Sequence, residues 1–202
     1  DDVKDIIFSQ TIESAQNQLE GNSTATEDIT NSIAKIITKS DNKTGAKFLE
    51  KLEDASQESD SSLSLNVISN ITKQDNYEEK IESLSATSSI VEQNITNLVE
   101  KAVETAASEK DIGLVTNIVE KSKGIITNKI IDSASKNKEN KKKITEIIVK
   151  VIKKNPEKAA EIIEKNQDVK KVMDSIKSKI ESKEAVTSED FEDVFEADIS
   201  PN

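Results

Sequence analysis

Any chemistry in this chain would have to come from ammonium, carboxylate, hydroxyl and amide groups, because its 202 residues contain no His, no Cys and, among 28 basic residues, no Arg. That removes imidazole acid/base catalysis, thiolate nucleophiles, ordinary zinc ligation and disulfides. Without the planar guanidinium fork, bidentate recognition of phosphate, carboxylate or guanine edges is lost too. Four clusters remain. Lys141, Lys142 and Lys143, preceded by Lys136 and Lys138, could attract phosphate or an anionic membrane surface, although a solvated loop from Ser135 to Lys143 is the plainer expectation. The carboxylate pairs Glu78-Glu79 and Glu189-Asp190 could share acid/base work only where a pocket keeps one of them from water. Ser40, Asn42, Thr44 and Gly45 follow the spacing of a calcium loop, but its first ligand is Ser and its twelfth position is Lys51 instead of a bidentate Glu. Phe191, Val194, Phe195 and Ile199 fall at i, i+3, i+4 and i+8, a short acidic amphipathic helix carrying two of the four Phe. No catalytic residue, cofactor or metal site is expected from this set.

The elements that would position these groups are marked by a rhythm. The aliphatic doublets Ile36-Ile37, Val67-Ile68, Leu98-Val99, Ile130-Ile131 and Ile162-Ile163 recur at steps of 31, 31, 32 and 32 residues. A second column, Leu49, Ile81, Ile112, Ile144 and Ile176, keeps the same period. So does a third, formed by Leu52, Leu84, Val115, Ile148 and Ile180. Within each unit the apolar residues recur at helical spacing, and two Pro and four Gly leave too few turn-formers for a strand-rich fold. The expected fold is all-α, a solenoid-like array of about five helical hairpins, with an irregular helical bundle as the alternative. Residues 1–25 read as a leading helix and polar linker, 26–184 as the array, and 185–202 as an acidic tail. Asn155-Pro156 is a helix-start signal for the fifth hairpin.

Hydrophobic residues make up 34% of the chain and aromatics 2%, so the core must be aliphatic and thin. A lone hairpin should not fold, because roughly 1.5–3 kcal/mol per buried aliphatic side chain falls short of about 1–2 kcal/mol per ordered residue. Stacking has to supply the second apolar face.

Charge varies along the array. Residues 121–183 hold 18 Lys against 9 acids, whereas 184–202 hold seven acids and no base. The net charge of −11 disfavours nucleic acid, and no apolar run is long enough to span a membrane. A small-molecule ligand is also disfavoured by so thin a core. The expected partner is another protein, with an anionic membrane or envelope surface as the alternative. Asn-x-Ser/Thr triplets at Asn22, Asn42, Asn70 and Asn94 match the glycosylation acceptor pattern, as chance allows in a chain so rich in Asn, Ser and Thr. The tail could cap the array or dock on its basic half.

The block from Asn155 to Asn166 (NPEKAAEIIEKN), with Val119-Glu120-Lys121-Ser122 and the acidic Phe-containing end, resembles helical repeats attached to FecR-type domains in bacterial envelope proteins. The resemblance covers mainly residues 95–183 and implies a non-catalytic extracytoplasmic module. These 202 residues contain no equivalent of the Gly-rich, strand-forming FecR domain itself.

Overall fold

The computed structural model describes residues 2–20, 25–58, 62–122, 124–133 and 138–155, with Ser178 and Ser182. The fifth hairpin and the acidic tail lie outside the described residues. Among the described residues the regular structure is helical, in the order α1 (Asp2–Glu20), α2 (Ala25–Lys39), α3 (Asn42–Gln57), α4 (Leu63–Ile71), α5 (Tyr77–Ser85), α6 (Ser89–Thr105), α7 (Glu109–Lys121), α8 (Ile125–Asp132) and α9 (Lys138–Lys154). Asp1–Lys129 and Ile130–Asn202 form separate compact units, and the division falls inside α8.

The sequence columns map onto these helices. The doublets at 36, 67, 98 and 130 lie in α2, α4, α6 and α8, and all their residues are buried except the half-buried Ile36. Leu49, Ile81, Ile112 and Ile144 lie in α3, α5, α7 and α9, as do Leu52, Leu84, Val115 and Ile148, and every one is buried. The period therefore marks alternate helices and the side of each that leaves water.

Local chemistry sets the helix ends. Asp41 caps α3, its carboxylate accepting from the Thr44 amide at 2.9 Å and the Thr44 hydroxyl at 2.7 Å. Those two donors, chiefly the backbone one, with Lys4 nearby, hold the Asp41 carboxyl below its ordinary value. Ser88 caps α6, and Ser108 forms a reciprocal capping box with Asp111 on α7. Asn76 enters α5 at φ 54°, a left-handed conformation that Asn tolerates. Only Ser40 and Asp41 lie between α2 and α3. Asn42, Thr44 and Gly45 are helical, so the calcium-like spacing forms no loop.

In the first unit the helices α2, α4 and α6 lie in a row, α4 packing on both neighbours and also on α7. The second helices find partners beyond their own hairpins: α3 packs strongly on α6, and α5 packs on α6. Eight of the nine residues of α4 are buried, Asn66 being the exception. The contact of α3 with α6 spans from the first hairpin to the third, which gives the unit the closure of a bundle. The leading helix α1 packs on α2 and α3 through Phe8, Ile12 and Ala15, and the Phe8 and Phe48 rings meet edge-on with centroids 4.3 Å apart.

Polar ties join helices of different hairpins. Lys80 on α5 donates to the Ser40 carbonyl at 2.7 Å and to Asn42 Oδ1 at 2.6 Å, closing the orphan end of α2. Asn70 donates to Thr30 Oγ1 at 2.9 Å, and Asn97 to Glu53 Oε1 at 2.9 Å. In the second unit α9 buries Ile144, Ile147, Ile148 and Val151, spaced i, i+3, i+4 and i+7.

Four substitutions test this packing. A Cβ at Gly45 would lie 3.1 Å from the Ile37 carbonyl oxygen and 3.2 Å from Leu84, whereas one at Gly113 would meet nothing within 4 Å. Gly45→Ala is expected to destabilise by about 1–2 kcal/mol through overpacking, and Gly113→Ala to stabilise by about 0.5–1 kcal/mol through helix propensity; urea unfolding reads both signs. Lys80→Met keeps the stem and loses the ammonium, so the same measurement should show a loss of about 1.5–3 kcal/mol. The depressed folded value of Asp41 means its contribution is complete above the ordinary aspartate range and fades as pH falls through the lowered value. Asp41→Ala should therefore narrow its gap from the parent chain as denaturation is moved to strong acid.

Candidate functional site

A broad concavity of the first unit runs along α4. Its floor is Ser62, Asn66, Ser69, Asn70 and Lys73, at i, i+4, i+7, i+8 and i+11, a polar stripe running from the cap of α4 to just past its end, on a helix otherwise aliphatic except for Ser64. Thr26 and Glu27 from the start of α2 form one wall, and Ser108, Lys110, Asp111 and Leu114 from the start of α7 another. Leu19 of α1 closes the end of a cleft of about 610 Å³.

The floor is pre-organised by hydrogen bonds. Asn70 is buried and held on both sides, its amide donating to Thr30 Oγ1 at 2.9 Å and its carbonyl accepting from Lys73 Nζ at 3.0 Å. Lys73 lies 3.6 Å from Glu27, an exposed pair whose Coulomb energy is largely screened. Asn66 donates to the Ser62 carbonyl at 2.9 Å and to its hydroxyl at 3.1 Å. The Thr26 hydroxyl oxygen is out of water and has no hydrogen-bond partner among the described residues. Ser108 Oγ donates to Asp111 at 2.7 Å, but both groups are committed to the α7 cap. The cleft thus offers amides, hydroxyls and both charges for hydrogen bonding.

The residues singled out by sequence lie elsewhere. Lys141, Lys142 and Lys143 are not in a loop; they belong to the first two turns of α9, which starts at Lys138. The buried stripe from Ile144 onward holds the helix, lysine is a good helix former, and Lys143 pairs with Glu139 at 3.2 Å across one turn. Lys142 is exposed, while Lys141 and Lys143 are half-buried. A second such pair, Lys150 with Glu146 at 2.6 Å, continues along the helix. Phe191, Val194, Phe195 and Ile199 lie outside the described residues, as does Glu189-Asp190. Glu78 and Glu79 occupy the first turn of α5, where they complement the helix dipole, and Glu78 accepts from the Tyr77 hydroxyl at 3.0 Å. Among the described residues no three acidic side chains cluster so as to hold a metal ion, and no helix is long and apolar enough to cross a membrane.

Two glycosylation triplets sit in the core: Asn70 is 5% exposed and Asn94 8%. Asn42 is held between Lys80 and Ser83. These asparagines serve packing and helix ties. The α4 stripe is present in the sequence as Ser62, Asn66, Ser69 and Asn70 at helical spacing, yet a polar helical face ordinarily signals only solvent. Its place between two helix starts comes from non-local packing. Comparison with protein-family models, curated proteins and solved structures finds no match to this chain.

Proposed function

We propose that this chain is a non-catalytic, helical-repeat interaction module whose partner is another protein, received in the cleft along α4. The observation that carries this reading is the cleft's lining. A peptide presents alternating N–H donors and C=O acceptors, and the cleft presents amides, hydroxyls, two lysines and two carboxylates on a floor fixed by the Asn70 network. Leu19 and Leu114 are its only large apolar lining residues, whereas small-molecule pockets are mostly apolar. The resemblance to repeats of bacterial envelope proteins supports an extracytoplasmic setting for such a module.

A second reading is association of α9 with an anionic membrane or envelope surface. It is supported by seven lysines against two glutamates in that helix, four of them in its first two turns. Lysines there oppose the helix dipole, which makes the end strongly electropositive.

The two readings separate experimentally. Asn66→Trp fills the cleft from the one α4 residue outside the core. It should leave far-UV circular dichroism and the unfolding midpoint unchanged while lowering capture of a protein partner at least tenfold, with capture by the parent chain surviving high salt. Capture that ignores Asn66→Trp but collapses with Lys141→Gln, Lys142→Gln and Lys143→Gln, or with salt alone, would move the function to α9.

A further inference from the structure

A third surface lies at the start of α1. Val3, Ile6 and Ile7 are 69%, 56% and 51% exposed, and among the described residues Ile90 is the only other exposed large hydrophobic side chain. Their spacing, i, i+3 and i+4, puts them on one face of α1. The helix cannot roll to bury them, because its opposite face is fixed by Phe8, Ile12 and Ala15, with Phe8 edge-on to Phe48. Beside this stripe Lys4, Lys43 and Lys47 line a shallow cleft of about 160 Å³ together with Phe8, Thr44 and Asp41. None of the three lysines is in an ion pair among the described residues. Asp41 is the one acid in the cleft, and its oxygens are engaged by Thr44. Asp5 is half-buried on the far side of α1 from the stripe.

We propose that this patch is a peripheral contact for an anionic lipid surface, with Val3, Ile6 and Ile7 entering the interface and Lys4, Lys43 and Lys47 meeting lipid phosphates. An exposed aliphatic face rimmed by lysine is the combination that interfacial helices use, and it occurs here in a chain of net charge −11. Three aliphatic side chains are too few for a stable protein interface, which needs about 800 Å² from each partner. A bilayer asks for no matching shape. A second copy paired symmetrically on the stripe would bring two lysine clusters together, and like charges oppose that contact.

The test is co-sedimentation of the full chain with phosphatidylcholine vesicles and with vesicles containing about one third phosphatidylglycerol, which carry a negative surface potential. Binding to the anionic vesicles alone is expected, resistant to millimolar inorganic phosphate. Val3→Ser, Ile6→Ser and Ile7→Ser together should lower it at least tenfold, and circular dichroism should be unchanged because these side chains lie outside the core. Lys4→Gln, Lys43→Gln and Lys47→Gln together should lower it by a similar or larger factor, at roughly fivefold per lysine, whereas Lys141→Gln, Lys142→Gln and Lys143→Gln should leave it intact. Equal binding to neutral vesicles, indifference to the stripe and cleft variants, or loss only with the α9 variants would each overturn the proposal. So would a stripe variant whose sole effect is on concentration-dependent self-association in gel filtration.

Discussion

Burial of α4 on almost every side is the constraint from which the rest of the first unit follows. A helix of nine residues with eight out of water must be covered by several neighbours, and α2, α6 and α7 do so. With aromatics at 2% of the chain, no single large side chain can fill the gaps. The core is therefore closed by many small aliphatic contacts, and helices must approach closely. Gly45, where a methyl group would press on a backbone carbonyl, records how close that approach is.

The same burial explains the polar ties. Ser69 and Asn70 leave water with α4, and an unpaired buried amide is costly. Asn70 is accordingly satisfied by Thr30 on α2 and by Lys73 one turn further along its own chain. Lys80 acts similarly from α5, directing its ammonium to the open end of α2. These bonds fix which face of each helix meets which neighbour, something that apolar contacts alone specify weakly. What the first unit leaves outside is a polar groove and one lysine-rimmed aliphatic stripe.

Much of the fold was legible. Three columns of aliphatic residues at a period near 32 marked the helices and their buried sides, as Leu52, Leu84, Val115 and Ile148 show. Less was legible of the surfaces. Lys141 to Lys143 read as a loop because charge runs usually are, and only the buried face of α9 shows that the helix reaches back through them. On α1, Val3, Ile6 and Ile7 stay exposed while Phe8, Ile12 and Ala15 are buried. Both sets have helical spacing, so periodicity alone could not choose between them; the position of Phe48 did.

The sequence by itself determined that the described residues are helical, that their buried aliphatic residues recur at a period near 32, and that imidazole, thiol and guanidinium chemistry are absent. Those facts are local or compositional, and no packing can alter them. Tertiary structure alone decided that α3 reaches from the first hairpin to α6 of the third, that the Ser62 to Lys73 stripe becomes the floor of a cleft, and that an aliphatic face of α1 stays in water. Each of these depends on which helices come together across forty or more residues, and the free energies that choose among such pairings are spread over the whole core.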